Sequence, residues 1–332
     1  SDVYTPEQTN DQNLIDSVFP LFVVSKVTTS SATGSDREEA GVLVNIPEED
    51  DGMERRYHYA GLKIHKGTVG NLGFREVSTI EEVVDSVGKI TWRRTAKSIF
   101  SQDYISKNQG QLEQYQLWFE DISGEYLMEE TVNDWRTLEL PYGRRFSFPK
   151  IVDERKWDTN GQLVSQSSKE QTLDLEAGGT SLFDSANVVR VVVTVGLGLD
   201  SLVTTTVNNY GQENAEEWLV GKVTSTTVTK AMSVLTEIDG PRESVITRRS
   251  EWGYYQDSGE VWYEITEPQT AGGNDPKWKK SEYFYFSNGQ LRKKETSGVG
   301  VVNVEINYLY DEFYRWVERT ENVYPSGFNY AE

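Results

Sequence analysis

Two histidines, His58 and His65, are the residues from which catalytic or metal chemistry would have to start. A zinc site wants about four nitrogen or sulfur ligands, and this sequence has no cysteine, so the pair alone makes a poor zinc centre. A Ser-His-Asp triad would need one of them, yet no Gly-x-Ser-x-Gly elbow is present. The acidic run Glu48-Glu49-Asp50-Asp51-Gly52 offers hard oxygen ligands. It lacks the alternating Asp-x-Asp-x-Asp-Gly spacing of a calcium loop and reads as solvated. Gly67, Gly70 and Gly73 stand three apart, as phosphate-cradling glycines can. The Walker lysine and the strand–loop–helix setting are missing, so tight turns are the better reading. Carboxylates are numerous enough that a glycosidase pair is not excluded by counting. Nine Trp and 18 Tyr could stack on sugars. At turn-flanking positions of a sheet, such rings more often form cross-strand pairs. The expectation is a non-enzymatic chain with no catalytic, cofactor-binding or metal-ligating residue assigned.

The elements that carry these residues read as strands. The clearest stretch is Tyr283 to Thr296, where Tyr283 and Tyr285 alternate with Phe284 and Phe286, Asn288-Gly289 supplies the turn, and a polar strand leaves it. Weaker copies run from Trp157 to Val164, from Tyr255 to Trp262 and from Tyr308 to Val317. One hairpin cannot bury an aromatic face alone, so successive hairpins must pair into a continuous sheet.

Read in order, residues 1–19 form a polar N-terminal arm, 20–150 a β region preceding the repeats, and 151–332 a hairpin-repeat region continuous with it. Strands are expected within Val18–Thr29 and Gly41–Ile46, with Ser30–Glu39 as a polar connection. Ile80–Gly88 fits either a short helix or a strand ending in a turn, and the strand is preferred. Ile90–Phe100, Gln111–Asp121 and Tyr126–Trp135 follow, with turns at Asn108–Gly110 and Ser123-Gly124. Leu138–Phe148 holds Pro141 and Gly143 and reads as a loop or edge. A further pair lies in Thr204–Lys230 around a turn near Asn208–Gly211, and Thr270–Pro276 reads as a loop.

Composition narrows the partners. The net charge is −20, which argues against nucleic acid and anionic membrane surfaces, since both attract Lys/Arg patches. No apolar run reaches the ~18 residues of a bilayer span. The longest, Val188–Leu199, is broken by Arg190, Thr194 and two glycines. Without cysteines there are no disulfides.

The order of these motifs resembles the Rhs/YD-repeat proteins, in particular the shell-forming components of bacterial insecticidal Tc toxins. The family repeat is Tyr-Asp, two variable residues, Gly-Arg/Asn/Gln, then an apolar residue. Tyr310-Asp311 through Val317 matches the Tyr-Asp start and the Arg, with Tyr314 in place of Gly. Tyr285 through Leu291 keeps the Gly and lacks the Asp; Trp157-Asp158 through Leu163 has Trp for Tyr. Tyr57, Tyr59, Gly61, Gly70, Leu72, Gly73 and Phe74 resemble the segment that precedes the repeats, and Glu217–Thr224 resembles a recurring strand. The resemblance covers about Val23 to Thr320.

It implies an all-β fold, an extended antiparallel sheet of successive hairpins curving into an arc or partial shell. It also implies a secreted bacterial setting and, as partners, the remainder of a longer Rhs-type polypeptide or a toxin cargo. The expected function is a structural shell segment. The alternative is a carbohydrate-binding or adhesive module that engages a cell-surface glycan through Trp and Tyr, and a glycoside hydrolase is a third class.

Overall fold

The computed structural model describes residues 4–5, 14–16, 23–29, 37–39, 42–44, 53–67, 70–84, 90–105, 108–139, 145–174, 187–197, 200–211, 221–236, 240–267, 277–299 and 301–323. Their regular elements are β-strands, joined mostly as antiparallel hairpins, as expected. The chain divides into two units, Ser1–Ser168 and Lys169–Glu332.

The first unit begins with short strands: β1 (Tyr4–Thr5), β2 (Leu14–Asp16), β3 (Lys26–Thr29), β4 (Arg37–Glu39) and β5 (Val42–Val44). It continues with β6 (Met53–Ala60), β7 (Lys63–His65), β8 (Gly70–Gly73), β9 (Glu76–Val84), β10 (Ile90–Phe100), β11 (Leu112–Asp121), β12 (Gly124–Glu139) and β13 (Arg145–Trp157). The antiparallel order is β3-β6-β9-β10-β11-β12-β13. β1 adds to β6 in parallel, so part of the N-terminal arm is a strand. β2, β7 and β8 make a three-stranded sheet, and β4 pairs with β5, so the segment read as a polar connection ends in a hairpin. The Ile80 segment is strand β9, as preferred, with residues 85–89 outside the described residues.

Leu138–Phe148, expected as a loop or edge, is strand at both ends, since β12 runs to Glu139 and β13 starts at Arg145, and residues 140–144 lie outside the described residues. Pro149 does not break β13, because it sits at a bulge where Trp135 opposes Pro149 and Asp134 opposes Ile151. A proline's missing N–H is tolerated at such a point. β14 (Leu163–Leu173) follows, and the division between the units falls within it.

The second unit is a meander of β15 (Val188–Leu197), β16 (Asp200–Tyr210), β17 (Val223–Thr236), β18 (Gly240–Tyr254), β19 (Val261–Thr266), β20 (Lys279–Tyr285), β21 (Leu291–Gly298), β22 (Val301–Tyr310) and β23 (Val317–Val323). Each strand pairs antiparallel with the next in sequence. Asn208–Tyr210, read as a turn, instead complete β16.

Little apolar surface is fully enclosed. Among the described residues the buried apolar side chains are Leu62, Leu72, Phe148 and Leu173. Cross-strand pairs supply the cohesion instead. On β6, β9 and β10, Glu81 is flanked in register by Arg55 and Arg94 and pairs with both. Arg93 bridges Glu82 at 3.1 Å and Glu120 at 2.8 Å, tying β9, β10 and β11. Where rings pair, Trp92 stacks on Phe119 with centroids 6.4 Å apart. Thr204, Thr205 and Thr206 face Lys230, Thr229 and Val228, a β-branched run suited to a pleated, half-exposed surface.

Candidate functional site

The chain's recurring local device is the end of a hairpin. In the second unit β16/β17, β18/β19, β20/β21 and β22/β23 each close the same way. The last residue of the first strand, Tyr210, Tyr254, Tyr285 or Tyr310, opposes the first residue of the next, Val223, Val261, Leu291 or Val317. The register then skips one residue: Thr224, Trp262, Arg292 or Glu318. In the first unit, Phe100 opposes Leu112 and Glu113 is skipped. A bulge of this kind bends the strand and re-aims the extra side chain. Alternate connections of an antiparallel meander lie at the same end, so the four tyrosine turns of the second unit form one row.

Most of these aromatic ends are locked by a side-chain bond to the preceding strand. Tyr210 Oη donates to the Val188 carbonyl at 2.9 Å, Tyr254 Oη to Val223 at 2.7 Å, and Tyr310 Oη to Leu291 at 2.9 Å. Trp135 Nε1 does the same in the first unit, donating to Leu112 at 2.7 Å. In each case the acceptor is the first residue of its strand. Burial raises the pKa of the Tyr210 and Tyr254 phenols, as expected for a group kept neutral away from water.

The turns themselves share a plan. Phe286 N donates to Gln290 O and Gly289 N to Phe286 O, and among Ser287, Asn288 and Gly289 only the glycine has positive φ, +84°. This is a three-residue loop with a left-handed third residue, not a two-residue turn with two. Asp158–Gln162 repeats it. There Asp158 Oδ1 accepts the amides of Asn160 and Gln162 at 2.9 Å, and these bonds, that from Gln162 foremost, hold the carboxyl below its usual range. At Asp311 burial pushes the carboxyl up, but the amides of Arg315 and Trp316 outweigh it and the pKa is lowered. Tyr314, which stands where the other two turns have Gly161 and Gly289, takes the glycine's conformation at φ +54°. A left-handed non-glycine residue costs about 1–2 kcal/mol. Its ring offsets that by packing on Phe286 and Tyr310 at 5.7 and 6.4 Å.

Successive turns also touch. The residue after each left-handed position is Lys222, Glu260, Gln290 or Arg315. Lys222 Nζ donates to the carbonyl of Gly259, the left-handed residue of the next turn, at 3.0 Å. Gln290 Nε2 donates likewise to the Tyr314 carbonyl. Glu260 occupies the same place but is an acceptor. Its Oε2 is buried with no hydrogen-bond partner, and its Oε1 lies 3.1 Å from where a Cβ on Gly289 would stand. Rings fill the spaces between: Tyr255 meets Tyr285 edge-on at 6.1 Å and donates its hydroxyl to the Tyr283 carbonyl at 3.1 Å. The outer rings are exposed, Trp262 at 45% and Trp316 at 73%.

The structure places the histidines and the glycine cluster on strands and turns of the first unit. His65 Nδ1 accepts the Gly67 amide at 3.0 Å and its ring packs 4.4 Å from Tyr104. His58 lies on β6 opposite Ser78, in a different sheet from His65. Gly70 and Gly73 bound β8, which bulges against β7 so that buried Leu72 is skipped. Tyr59 packs on Phe74 at 4.8 Å, joining the two ends of the Tyr57–Phe74 landmark. The acidic run 48–52 lies outside the described residues. Among the described residues no three His, Asp or Glu side chains are grouped to hold a metal ion, and no helix is long and apolar enough to cross a membrane.

One feature escaped the sequence: a polar groove of about 430 Å³ in the first unit, lined by residues that include Arg75, Glu113, Asn133, Asp134 and Trp135. Its residues come from segments far apart in the chain, and the signal that could have marked it is the Asn-x-aromatic pair Asn133/Trp135, which recurs as Asn208/Tyr210 with the same bonding to a strand-start carbonyl.

No family model matches the sequence, and no curated protein does. The fold is similar to that of a chain in the crystal structure of TcdB2-TccC3-Cdc42, with a TM-score of 0.56 and 10% sequence identity, over 81% of this chain and 19% of that one.

Proposed function

We propose that this chain is a wall segment of an Rhs/YD-type toxin shell, a β structure that encloses or presents a polypeptide cargo in a secreted bacterial assembly. The observation that carries the reading is the fold shared with part of the TcdB2-TccC3-Cdc42 chain. The hairpin ends give it a physical basis. In the second unit each strand pairs with its neighbours in sequence and each turn leans on the next, so length is added by hairpins without a core that must close. Such a sheet separates two spaces, which is what a wall does. The reading assigns the chain no chemical step.

The test is the intact mass of the polypeptide as its own cell makes it, with protease protection of its other segments. A polypeptide several-fold larger than 37.8 kDa, with a segment that becomes protease-sensitive only when the β region is opened by denaturant, is the expected result. A native mass near 37.8 kDa with no larger polypeptide bound would sink the proposal.

A further inference from the structure

The groove of the first unit lies beside two bulges on neighbouring hairpins. One skips Glu113 between β10 and β11; the other skips Lys150 opposite Asp134 and Trp135. Bulges at such places re-aim side chains out of the regular pleat. Arg75 Nη1 donates to Glu113 Oε2 and to the Phe100 carbonyl, each at 2.5 Å, which fixes the guanidinium at the groove. Asn133 Nδ2 and Trp135 Nε1 both donate to the Leu112 carbonyl, at 2.9 and 2.7 Å. These bonds use the indole N–H, so what Trp135 has left to offer a ligand is its π surface. They leave the Asn133 amide oxygen as an acceptor.

We propose that this groove binds a short, non-acidic saccharide. Its volume of about 430 Å³ suits one or two sugar rings. An aromatic ring fixed by its own hydrogen bond can stack on the apolar face of a pyranose. Carboxylates accept from sugar hydroxyls in charge-assisted bonds, and Asp103, Glu113 and Asp134 line the groove with Arg75. Three carboxylates against one guanidinium repel a sialic or uronic acid and favour neutral or amino sugars. The site does not depend on the wall reading; a wall can carry a sugar site on either face.

The experiment is saturation-transfer NMR of the whole chain with N-acetylglucosamine, glucosamine, lactose, maltose and 3′-sialyllactose, followed by calorimetry on whichever binds. The expected result is saturable binding of at least one neutral or amino sugar, with a dissociation constant in the low millimolar range, about 1–10 mM for a ligand of this size. Asp134→Asn and Trp135→Phe should each weaken it about tenfold. Trp316→Ala, in the second unit, should leave it unchanged. Melting temperatures of the variants separate lost binding from lost folding, and the exposed Asp134 should melt unchanged as Asn. Binding of the sialylated sugar alone, binding to none, or equal affinity in Asp134→Asn and Trp135→Phe would overturn the proposal. Loss of binding in Trp316→Ala alone would do so too, by moving the site to the exposed turn.

Discussion

Replacing Glu260 by Gln is expected to stabilise the second unit. In the row of turns Lys222 and Gln290 each give a hydrogen bond to the left-handed residue of the following turn, and Glu260 stands in the same position with nothing to give. A buried polar atom left unsatisfied costs about 1–3 kcal/mol, and a new amide-to-carbonyl bond adds about 0.5–1.5 kcal/mol. Gln keeps the shape and places an N–H where Oε2 now has no partner. Allowing for imperfect geometry, the gain is about 1.5–3 kcal/mol. For a cooperative unit of 150–250 residues, each kcal/mol moves Tm by about 2–4 °C, so the rise should be about 3–12 °C. Calorimetric melting and urea unfolding of the whole chain measure it. The reverse change, Gln290→Glu, puts a carboxylate against the Tyr314 carbonyl and should lower Tm by less, about 1–6 °C, because the bond it removes is exposed. A Tm that falls, or does not move, in Glu260→Gln would refute the reasoning, because Glu260 would then have a partner that a neutral amide cannot replace.

Three further outcomes follow from the hairpin ends. Gly289→Ala should destabilise more than Gly161→Ala: both have positive φ, which costs an L-residue about 1–2 kcal/mol, but only at 289 does the new methyl meet Glu260 Oε1 at 3.1 Å. Comparing the two urea midpoints, and repeating Gly289→Ala with Glu260→Ala, isolates the contact. Tyr254→Phe and Tyr310→Phe should each cost about 0.5–1.5 kcal/mol, the worth of one phenol-to-carbonyl bond, with the β content unchanged by circular dichroism. Burial raises the pKa of Tyr210, Tyr254, Tyr283 and Tyr285 in the folded chain, with Glu264 adding to the effect at Tyr283 and Glu260 at Tyr285. Their contribution to stability is therefore whole below the ordinary tyrosine pKa of about 10 and is lost as pH rises through the folded values. Urea midpoints should hold up to that pH and drop above it. Stability that grows at higher pH would contradict the burial.

The strands were legible because their causes are local. Alternation in Tyr283–Phe286, β-branched runs such as Val203–Val207, and Gly289 or Gly161 after Asn each act within a few residues. The flanks of Leu138–Phe148 were less legible: Pro141 and Gly143 suggest a loop or edge, yet β12 and β13 run up to residues 139 and 145, and a bulge takes up Pro149. The row of turns was not legible. Lys222 and Gly259 are 37 residues apart, and Gln290 and Tyr314 are 24 apart. Nothing in either local sequence says that a lysine or glutamine will reach a carbonyl in the next hairpin. The groove was hidden for the same reason. Glu113 and Arg75 meet across 38 residues at the bulge between β10 and β11, and a bulge is a property of a pair of strands.

Nearest-neighbour coupling of the turns makes the second unit behave as a one-dimensional chain of linked elements. Its free energy is close to a sum of hairpin terms and junction terms, so loosening one junction is felt by its two neighbours and fades beyond them. Unfolding under tension would then proceed as unzipping, one hairpin at a time, in place of a single all-or-none rupture. The junction at Glu260, which lacks the donor its counterparts have, is where such a zipper would pause least. Amide exchange should show it as a dip in protection between β18/β19 and β20/β21.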